Sequence, residues 1–273
     1  MASRAEQKAA ARAAREAKQQ ELKLAAARRQ RWYVTGGIIG VAVIALIVVI
    51  VASSSGGKGH GITLTHKQKQ SAIATVDQTL AGIPQSGNVL GKASAPVTIT
   101  EYGDLVCPIC AEFALTTEPQ IITALVRTGK AKLVYKAFDT ASSYANQSMF
   151  VNTQVAAKSA GLQDKEWNYL LLTYQEQPGT INGTDAEKVS YVTTTYLQNL
   201  AQQIKGLNTI KWQANMTNRT LINAVTTDGH DGIALGVNKI GTPDVFVDGP
   251  NGHQNPTGIP SLAAMESAVT QVS

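Results

Sequence analysis

The chain has 273 residues, a length that accommodates one or two domains. Its 44% hydrophobic and 16% charged residues exclude a disordered chain and a multi-span membrane protein. The net charge of +5 arises in residues 1–31, which hold nine Lys/Arg and three Asp/Glu and leave 15 Lys/Arg against 16 Asp/Glu elsewhere. Because aromatic residues make up only 5%, base-stacking surfaces for nucleic acid are not expected. Two cysteines exclude a multi-disulfide scaffold.

The first 31 residues contain no glycine or proline and consist mostly of alanine, arginine, lysine, glutamine and glutamate, which favour helices. Ser3 and Glu6 have the spacing of a capping box. Large apolar side chains are almost absent, so no coiled-coil seam can form. We expect a solvated, basic helical tail in the cytoplasm, with a lipid-surface or ribosome-facing role as the alternative.

Residues 32–52 form an uncharged apolar run that begins with Trp32 and Tyr33. At 1.5 Å per residue this run covers about 30 Å, the thickness of the hydrocarbon core of a membrane. The positive-inside rule places residues 1–31 in the cytoplasm and everything after the run outside. A cleaved signal peptide is the alternative, although its basic region is usually far shorter. We expect an uncleaved single-pass anchor, followed by a flexible tether over residues 53–66.

Beyond the tether, the pattern is that of a mixed α/β domain. Residues 67–81 have apolar side chains at helical spacing, and residues 83–96 form a connector rich in Gly, Pro and Ser. Residues 97–102 alternate like a strand, residues 107–127 are helical in pattern, and residues 132–138 form a second strand. A strand, a helix and a strand in this order predict a βαβ unit.

The later part of this domain, which we place at residues 67–273, changes character along the chain. Residues 143–228 are predicted to be all-helical. Strand residues resume at 244–247, followed by a turn at Asp248 and Gly249 and by a last helix over residues 261–272. The order of elements therefore predicts an α/β core with a helical insertion.

Both cysteines lie in one motif, Cys107-Pro-Ile-Cys110, directly after a predicted strand and at the first turn of a helix. Unpaired N–H groups and the helix dipole stabilise an anion there, so Cys107 should ionise readily and act as an exposed nucleophile or leaving group. Cys110 would be the resolving thiol. Pro108 suits the first turn because its missing N–H costs nothing there. The motif in an exported domain favours thiol–disulfide exchange.

Two other roles of the cysteine pair compete with exchange. A structural zinc site needs four ligands, but the chain has no second cysteine pair and its four histidines are scattered. A purely structural disulfide would stabilise the fold little, because it would close a loop of only two residues. We therefore expect neither a metal nor a cofactor.

Four segments carry a resemblance to a known family: Asn88-Val-Leu-Gly91, Ala95-Pro-Val-Thr-Ile-Thr-Glu-Tyr-Gly-Asp104, the cysteine motif, and Gly236-Val-Asn-Lys-Ile-Gly-Thr-Pro-Asp-Val-Phe-Val-Asp-Gly249. Together they resemble the DsbA-like thiol–disulfide oxidoreductases, in particular the membrane-anchored bacterial type. The resemblance covers roughly residues 70–273 and implies a thioredoxin-like fold with an inserted all-helical subdomain. Ile109 departs from the best-known member, which has histidine there. In the family this dipeptide tunes the redox potential.

The resemblance also implies roles for single residues. Cys107 resembles the surface nucleophile of the family and Cys110 its buried partner. Pro243 matches the cis-proline that lies against the motif and guides the substrate. Thr242 would then offer backbone groups to an extended substrate segment. From the residues alone, Gly241-Thr-Pro243 is also compatible with an ordinary trans turn.

Glu101 lies six residues before Cys107, where the family keeps a buried acid beneath the disulfide. A buried carboxylate there would relay the proton of Cys110. The alternative is a solvated glutamate at the end of a strand, because burying an unpaired acid is costly. Asp104 is interpreted as a turn residue.

These features predict a single-pass membrane protein that presents a thioredoxin-like domain outside the membrane and oxidises paired thiols of exported proteins. The resemblance implies a quinone-linked membrane partner that reoxidises it. The alternatives are a disulfide isomerase or reductase on the same scaffold, and a non-catalytic anchored module that holds a partner or a soft metal at the cysteine pair. The redox potential of the pair separates an oxidase from an isomerase or reductase. The non-catalytic module instead predicts metal retention after purification and no oxidase activity.

Overall fold

A mixed sheet forms the centre of the computed structural model, which describes residues 65–140, 147–177 and 191–273. In these residues the sheet has six strands in the order β1-β2-β4-β3-β5-β6. The strands are β1 (Gln85–Ser86), β2 (Val89–Leu90), β3 (Val97–Gly103), β4 (Ala131–Ala137), β5 (Asp244–Gly249) and β6 (Gly252–Gln254).

Helices cover both faces of this sheet. In chain order they are α1 (His66–Leu80), α2 (Pro108–Thr116), α3 (Glu118–Ile121) with a π-helical turn (Ile122–Val126), α4 (Gln147–Gly161), α5 (Glu166–Gln175), α6 (Thr194–Gln203), α7 (Thr209–Ala214), α8 (Arg219–Leu235), α9 (Val237–Ile240) and α10 (Leu262–Val272). Helices α4 to α9 lie between β4 and β5, which confirms the predicted helical insertion in the described residues.

The predicted βαβ unit is present. β3 and β4 are parallel, with Val97 opposite Ala131 and Gly103 opposite Ala137, and the helical segment that starts after Cys107 connects them. β5 pairs with the other side of β3 in the antiparallel direction. β3 is therefore a central strand, and the loop that follows its last residue carries the cysteine motif.

Alternation along the central strands creates two apolar layers. Ile99, Leu133 and Tyr135 belong to a large core cluster that also contains Cys110 and Phe113. A smaller cluster consists of Tyr102, Phe138, Val237 and Phe246. Since successive strand residues point to opposite faces, odd-numbered residues of β3 face the cysteine helix and Tyr102 faces the other layer.

The helix predicted over residues 107–127 is not continuous. α2 ends at Thr116, and Thr117 is followed by the short α3 with Pro119 in its first turn. Proline lacks the N–H that a continuous helix needs at that position, which explains the break. Among the described residues, Pro108–Val126 is the stretch that is long and apolar enough to cross a membrane, and half of it is buried within the domain.

Other boundaries differ from the prediction. The connector predicted over residues 83–96 contains the β1–β2 hairpin, and the predicted turn at Asp248 and Gly249 belongs to β5, which continues into a hairpin with β6. Strands of two or three residues are too short to show alternation, so the sequence pattern could not reveal them. α1 begins at His66, the last residue of the predicted tether. The basic tail and the apolar run of residues 32–52 lie outside the described residues.

Candidate functional site

Cys107 is the N-cap of α2, and Pro108 is the first residue of that helix. The Cys107 side chain makes no capping hydrogen bond. Its sulfur therefore lies at the helix N-terminus without pairing with the free N–H groups of the first turn. Cys107 is 5% exposed and Cys110 is fully buried, and both are free thiols. The prediction of an exposed Cys107 is therefore wrong.

Thr242 explains the limited exposure of Cys107. The Cys107 thiol donates a hydrogen bond to the backbone carbonyl of Thr242, with 3.6 Å between the sulfur and the oxygen. The peptide bond between Thr242 and Pro243 is cis, and both residues are buried. A loop 135 residues further along the chain thus covers one side of the sulfur.

Asp104 fixes the loop between β3 and the cysteine helix. Its carboxylate accepts hydrogen bonds from the N–H of Val106 at 3.0 Å and of Thr140 at 3.2 Å, and its carbonyl accepts the N–H of Cys107 at 3.0 Å. The hydroxyl groups of Thr140 and Thr242 also hydrogen-bond each other. Asp104 is the predicted turn residue, and it links the cysteine loop to the cis-proline loop through Thr140.

The two thiols have opposite acidities. Hydrogen bonds from the Cys110 thiol and the Cys110 backbone N–H lower the pKa of Cys107, and they outweigh burial and the nearby charge of Asp104. Burial raises the pKa of Cys110 well above that of a free cysteine, and the neighbouring Cys107 raises it further. The site therefore favours a Cys107 thiolate beside a protonated Cys110.

Glu101 lies on β3 and is 1% exposed, so the structure contradicts the alternative of a solvated glutamate. Burial raises its pKa to about 7, although a hydrogen bond with Glu118 lowers it in part. Tyr135 and Tyr174 are buried beside it and interact electrostatically with both Cys110 and Glu101. Glu101 and Cys110 thus both interact with the same two buried tyrosines.

Sequence reasoning missed two residues of the site. Gln177 is fully buried, and its amide nitrogen donates to the carbonyls of Leu105 at 3.1 Å and Cys107 at 3.2 Å. No local pattern identifies it, because it follows α5, seventy residues away. Glu118 did give a signal: it lies four residues after Ala114 and before Ile122, on the apolar side of the helical pattern.

The comparison with protein families decides the relationship. The sequence model of the Thioredoxin family matches residues 85–262, which is more than half of the chain. The chain belongs to this family. The matched region includes the cysteine motif, Glu101, Thr242 and Pro243.

Known proteins agree with this assignment. Disulfide bond formation protein D of Bacillus subtilis (strain 168) is 24% identical over 160 residues, which cover 59% of this chain and 67% of that protein. The crystal structure of oxidised BdbD from Bacillus subtilis has a TM-score of 0.55 at 20% identity and covers 69% of this chain and 95% of that one. Alpha-DsbA1 of Wolbachia pipientis has a TM-score of 0.51 at 16% identity, covering 71% and 92%.

These similarities confirm the thioredoxin-like α/β fold with a helical insertion. They also confirm that the chain is related to the DsbA-like thiol–disulfide oxidoreductases, as its motifs predict.

Proposed function

We propose that the chain is a membrane-anchored oxidoreductase that introduces disulfides into exported proteins through Cys107 and Cys110. The observation that carries this proposal is the pair itself: Cys107 caps the N-terminus of α2 with a lowered pKa, and its sulfur lies against the residue before a cis-proline. The name of the Bacillus subtilis relative, a disulfide bond formation protein, supports oxidation as the direction.

In the disulfide form, a thiolate of the substrate attacks the sulfur of Cys107. A bond forms between these two sulfur atoms, the bond between Cys107 and Cys110 breaks, and Cys110 leaves and takes up a proton. The second substrate thiol loses its proton and attacks the substrate sulfur of the mixed disulfide. Cys107 leaves as a thiolate, and two electrons have passed from the substrate to the cysteine pair.

Several groups around Cys107 suit an unfolded polypeptide as substrate. Thr242 and Pro243 provide the backbone edge that an extended segment would align with. Ile109 is 47% exposed beside the buried Cys107, and Ile240 is exposed just before the cis-proline loop. These apolar side chains would contact a passing chain without selecting a particular sequence.

The potential of the cysteine pair tests the direction of transfer. We expect equilibration with glutathione to give a potential above about −200 mV, in the range of oxidases and isomerases, because a stabilised Cys107 thiolate favours the reduced form. The oxidised chain should also form the disulfide of a reduced model protein with two cysteines. The double variant with both cysteines replaced by alanine is the negative control for oxidation of the model protein.

Three other outcomes of these experiments would reject disulfide introduction. A potential near that of thioredoxin, about −270 mV, would indicate a reductase. Rapid reshuffling of a scrambled substrate, with slow oxidation of a reduced one, would indicate an isomerase. A metal retained through purification, together with no oxidation of the model protein, would indicate a binding module.

Membrane anchoring through residues 32–52 and reoxidation by a quinone-linked membrane partner are further parts of the proposal. With Lys/Arg in excess only before the apolar run, residues 53–273 are expected outside the membrane and residues 1–31 inside. Protease added to intact spheroplasts should digest an epitope tag at the C-terminus and spare one at the N-terminus. The reverse pattern would show the opposite orientation. Recovery of the protein with both tags in the soluble fraction would contradict the anchor.

A further inference from the structure

Beneath the cysteine helix lies a pair of buried carboxyl groups, Glu101 on β3 and Glu118 at the start of α3. Each residue is 1% exposed, and the two side chains hydrogen-bond each other. The Oε1 atom of each is buried without a hydrogen-bond partner. Within the described ranges, the ion pairs of Lys, Arg and His involve other carboxylates. The pair therefore has no cation to neutralise it there.

Two carboxyl groups in contact, sealed from water and without a cation, cannot both be ionised. Burial and the adjacent charge of Glu101 raise the pKa of Glu118 well above the ordinary value of a glutamate. The pKa of Glu101 is about 7, because the hydrogen bond with Glu118 offsets part of the effect of burial. Glu118 thus stays protonated and donates a hydrogen bond to Glu101, whereas Glu101 gains and loses a proton near neutral pH.

The pair lies in the same buried region as the resolving cysteine. Glu101 is on the odd-numbered face of β3, toward the cluster that contains Cys110. The titratable groups that interact with it are Glu118 of α3, Tyr135 of β4 and Tyr174 of α5, and the same two tyrosines interact with Cys110 of α2. The pKa of each tyrosine is raised well above its usual value by burial, so both phenols stay protonated.

We propose that Glu118 is a positioning residue, which keeps its proton and donates a hydrogen bond to Glu101, so that Glu101 is the group that exchanges a proton with Cys110. This role rests on the proposed thiol–disulfide exchange. When a substrate thiolate breaks the disulfide, the sulfur of Cys110 receives the proton of Glu101. Glu101 becomes a carboxylate, and the O–H of Glu118 stabilises it.

The distinction between the two glutamates can be measured without any redox reaction. Carboxyl resonances of the full-length reduced protein, labelled with ¹³C-glutamate, report each titration by NMR. We expect Glu101 to titrate near pH 7 and Glu118 to stay protonated across the accessible range. In Glu118→Leu the donor is lost, and the midpoint of Glu101 should rise by about one pH unit or more. Glu118→Gln retains a donor without a titrating proton and is the matched control, with a midpoint at or below that of the wild type.

A second test is the rate at which a reduced dithiol peptide opens the disulfide between Cys107 and Cys110. Because Glu101 must be protonated to donate, the wild-type rate, after correction for peptide ionisation, should fall as the pH rises through about 7, and Glu118→Leu should move this fall upward. Glu101→Gln should abolish it. An unchanged Glu101 midpoint in Glu118→Leu would overturn the proposal, even in a fully active protein.

Folding defects do not prevent this test. If Glu118→Leu does not fold, Glu101→Gln decides. The resonance of Glu101 near pH 7 must disappear, and Glu118 must not begin to titrate there. Glu166 of α5, which burial also brings to a pKa of about 7, should titrate in both proteins and identifies itself by its loss in Glu166→Gln. A carboxyl group other than Glu166 that still titrates near pH 7 in Glu101→Gln would show that the roles are assigned wrongly. Absence of disulfide exchange in the wild type would reject the proposed function, whereas the titrations would still report the carboxyl pair.

Discussion

Replacing Cys110 with alanine is expected to accumulate mixed disulfides between Cys107 and exported proteins, whereas replacing Cys107 should accumulate few. The two sulfur atoms differ in access and acidity: Cys107 is 5% exposed with a lowered pKa, and Cys110 is fully buried with a raised one. Without Cys110, a mixed disulfide at Cys107 has no internal thiol to release it. Non-reducing gels of cells that express each variant should show high-mass species that collapse on reduction.

The double-alanine variant sets the background in this experiment. Pro243→Thr, in a chain with both cysteines, should lengthen the life of the mixed disulfide, because Pro243 lies in the buried loop beside Cys107. Equal trapping by the two single-cysteine variants, or trapping by neither, would contradict the assigned roles. Trapping confined to Cys107→Ala would reverse them.

The central sheet was predictable because its strands carry strong local patterns. β3 and β4 are β-branched or apolar at alternate positions, and the helical segment between them is apolar and long. The hairpins formed by β1 with β2 and by β5 with β6 were not predictable. Their pairing depends on neighbouring strands, and two or three residues carry no period of their own.

The site was predictable only in part from the residues themselves. The motif and its place before a helix identify the reacting sulfur atoms, but contact between Cys107 and Thr242 joins residues 135 positions apart. The resemblance indicated this proximity, and local physics did not. The same contact explains the wrong prediction of exposure, since a residue at a helix N-terminus is open until another loop covers it.

Whether Glu101 is buried or solvated could not be predicted from its own position in the sequence. A lone buried glutamate is unfavourable, which kept the solvated alternative open. Glu118 changes this balance, because the raised pKa values and the mutual hydrogen bond of the two carboxyl groups let both side chains be buried. The partner lies seventeen positions away on another element, so the burial of Glu101 follows from the tertiary structure and not from the strand pattern.

Two glycines of α8 are expected to respond oppositely to alanine, and this comparison tests the packing of α8 against Tyr102 and Phe138. A Cβ at Gly232 would lie 2.4 Å from Cδ2 of Phe138 and 3.2 Å from a ring carbon of Tyr102. Both rings are buried and meet edge to face, so neither can move away freely. Gly232→Ala should therefore destabilise the domain by about 1–3 kcal/mol through overpacking.

Gly229 is the matched control, because it lies one turn earlier in the same helix and a Cβ there meets no atom within 4 Å. Gly229→Ala should stabilise the domain by up to about 1 kcal/mol, since alanine loses less chain entropy than glycine in a helix. Guanidinium chloride unfolding of the reduced protein measures both changes. Equal stability of the two variants would show that the layer of Tyr102 and Phe138 is loosely packed.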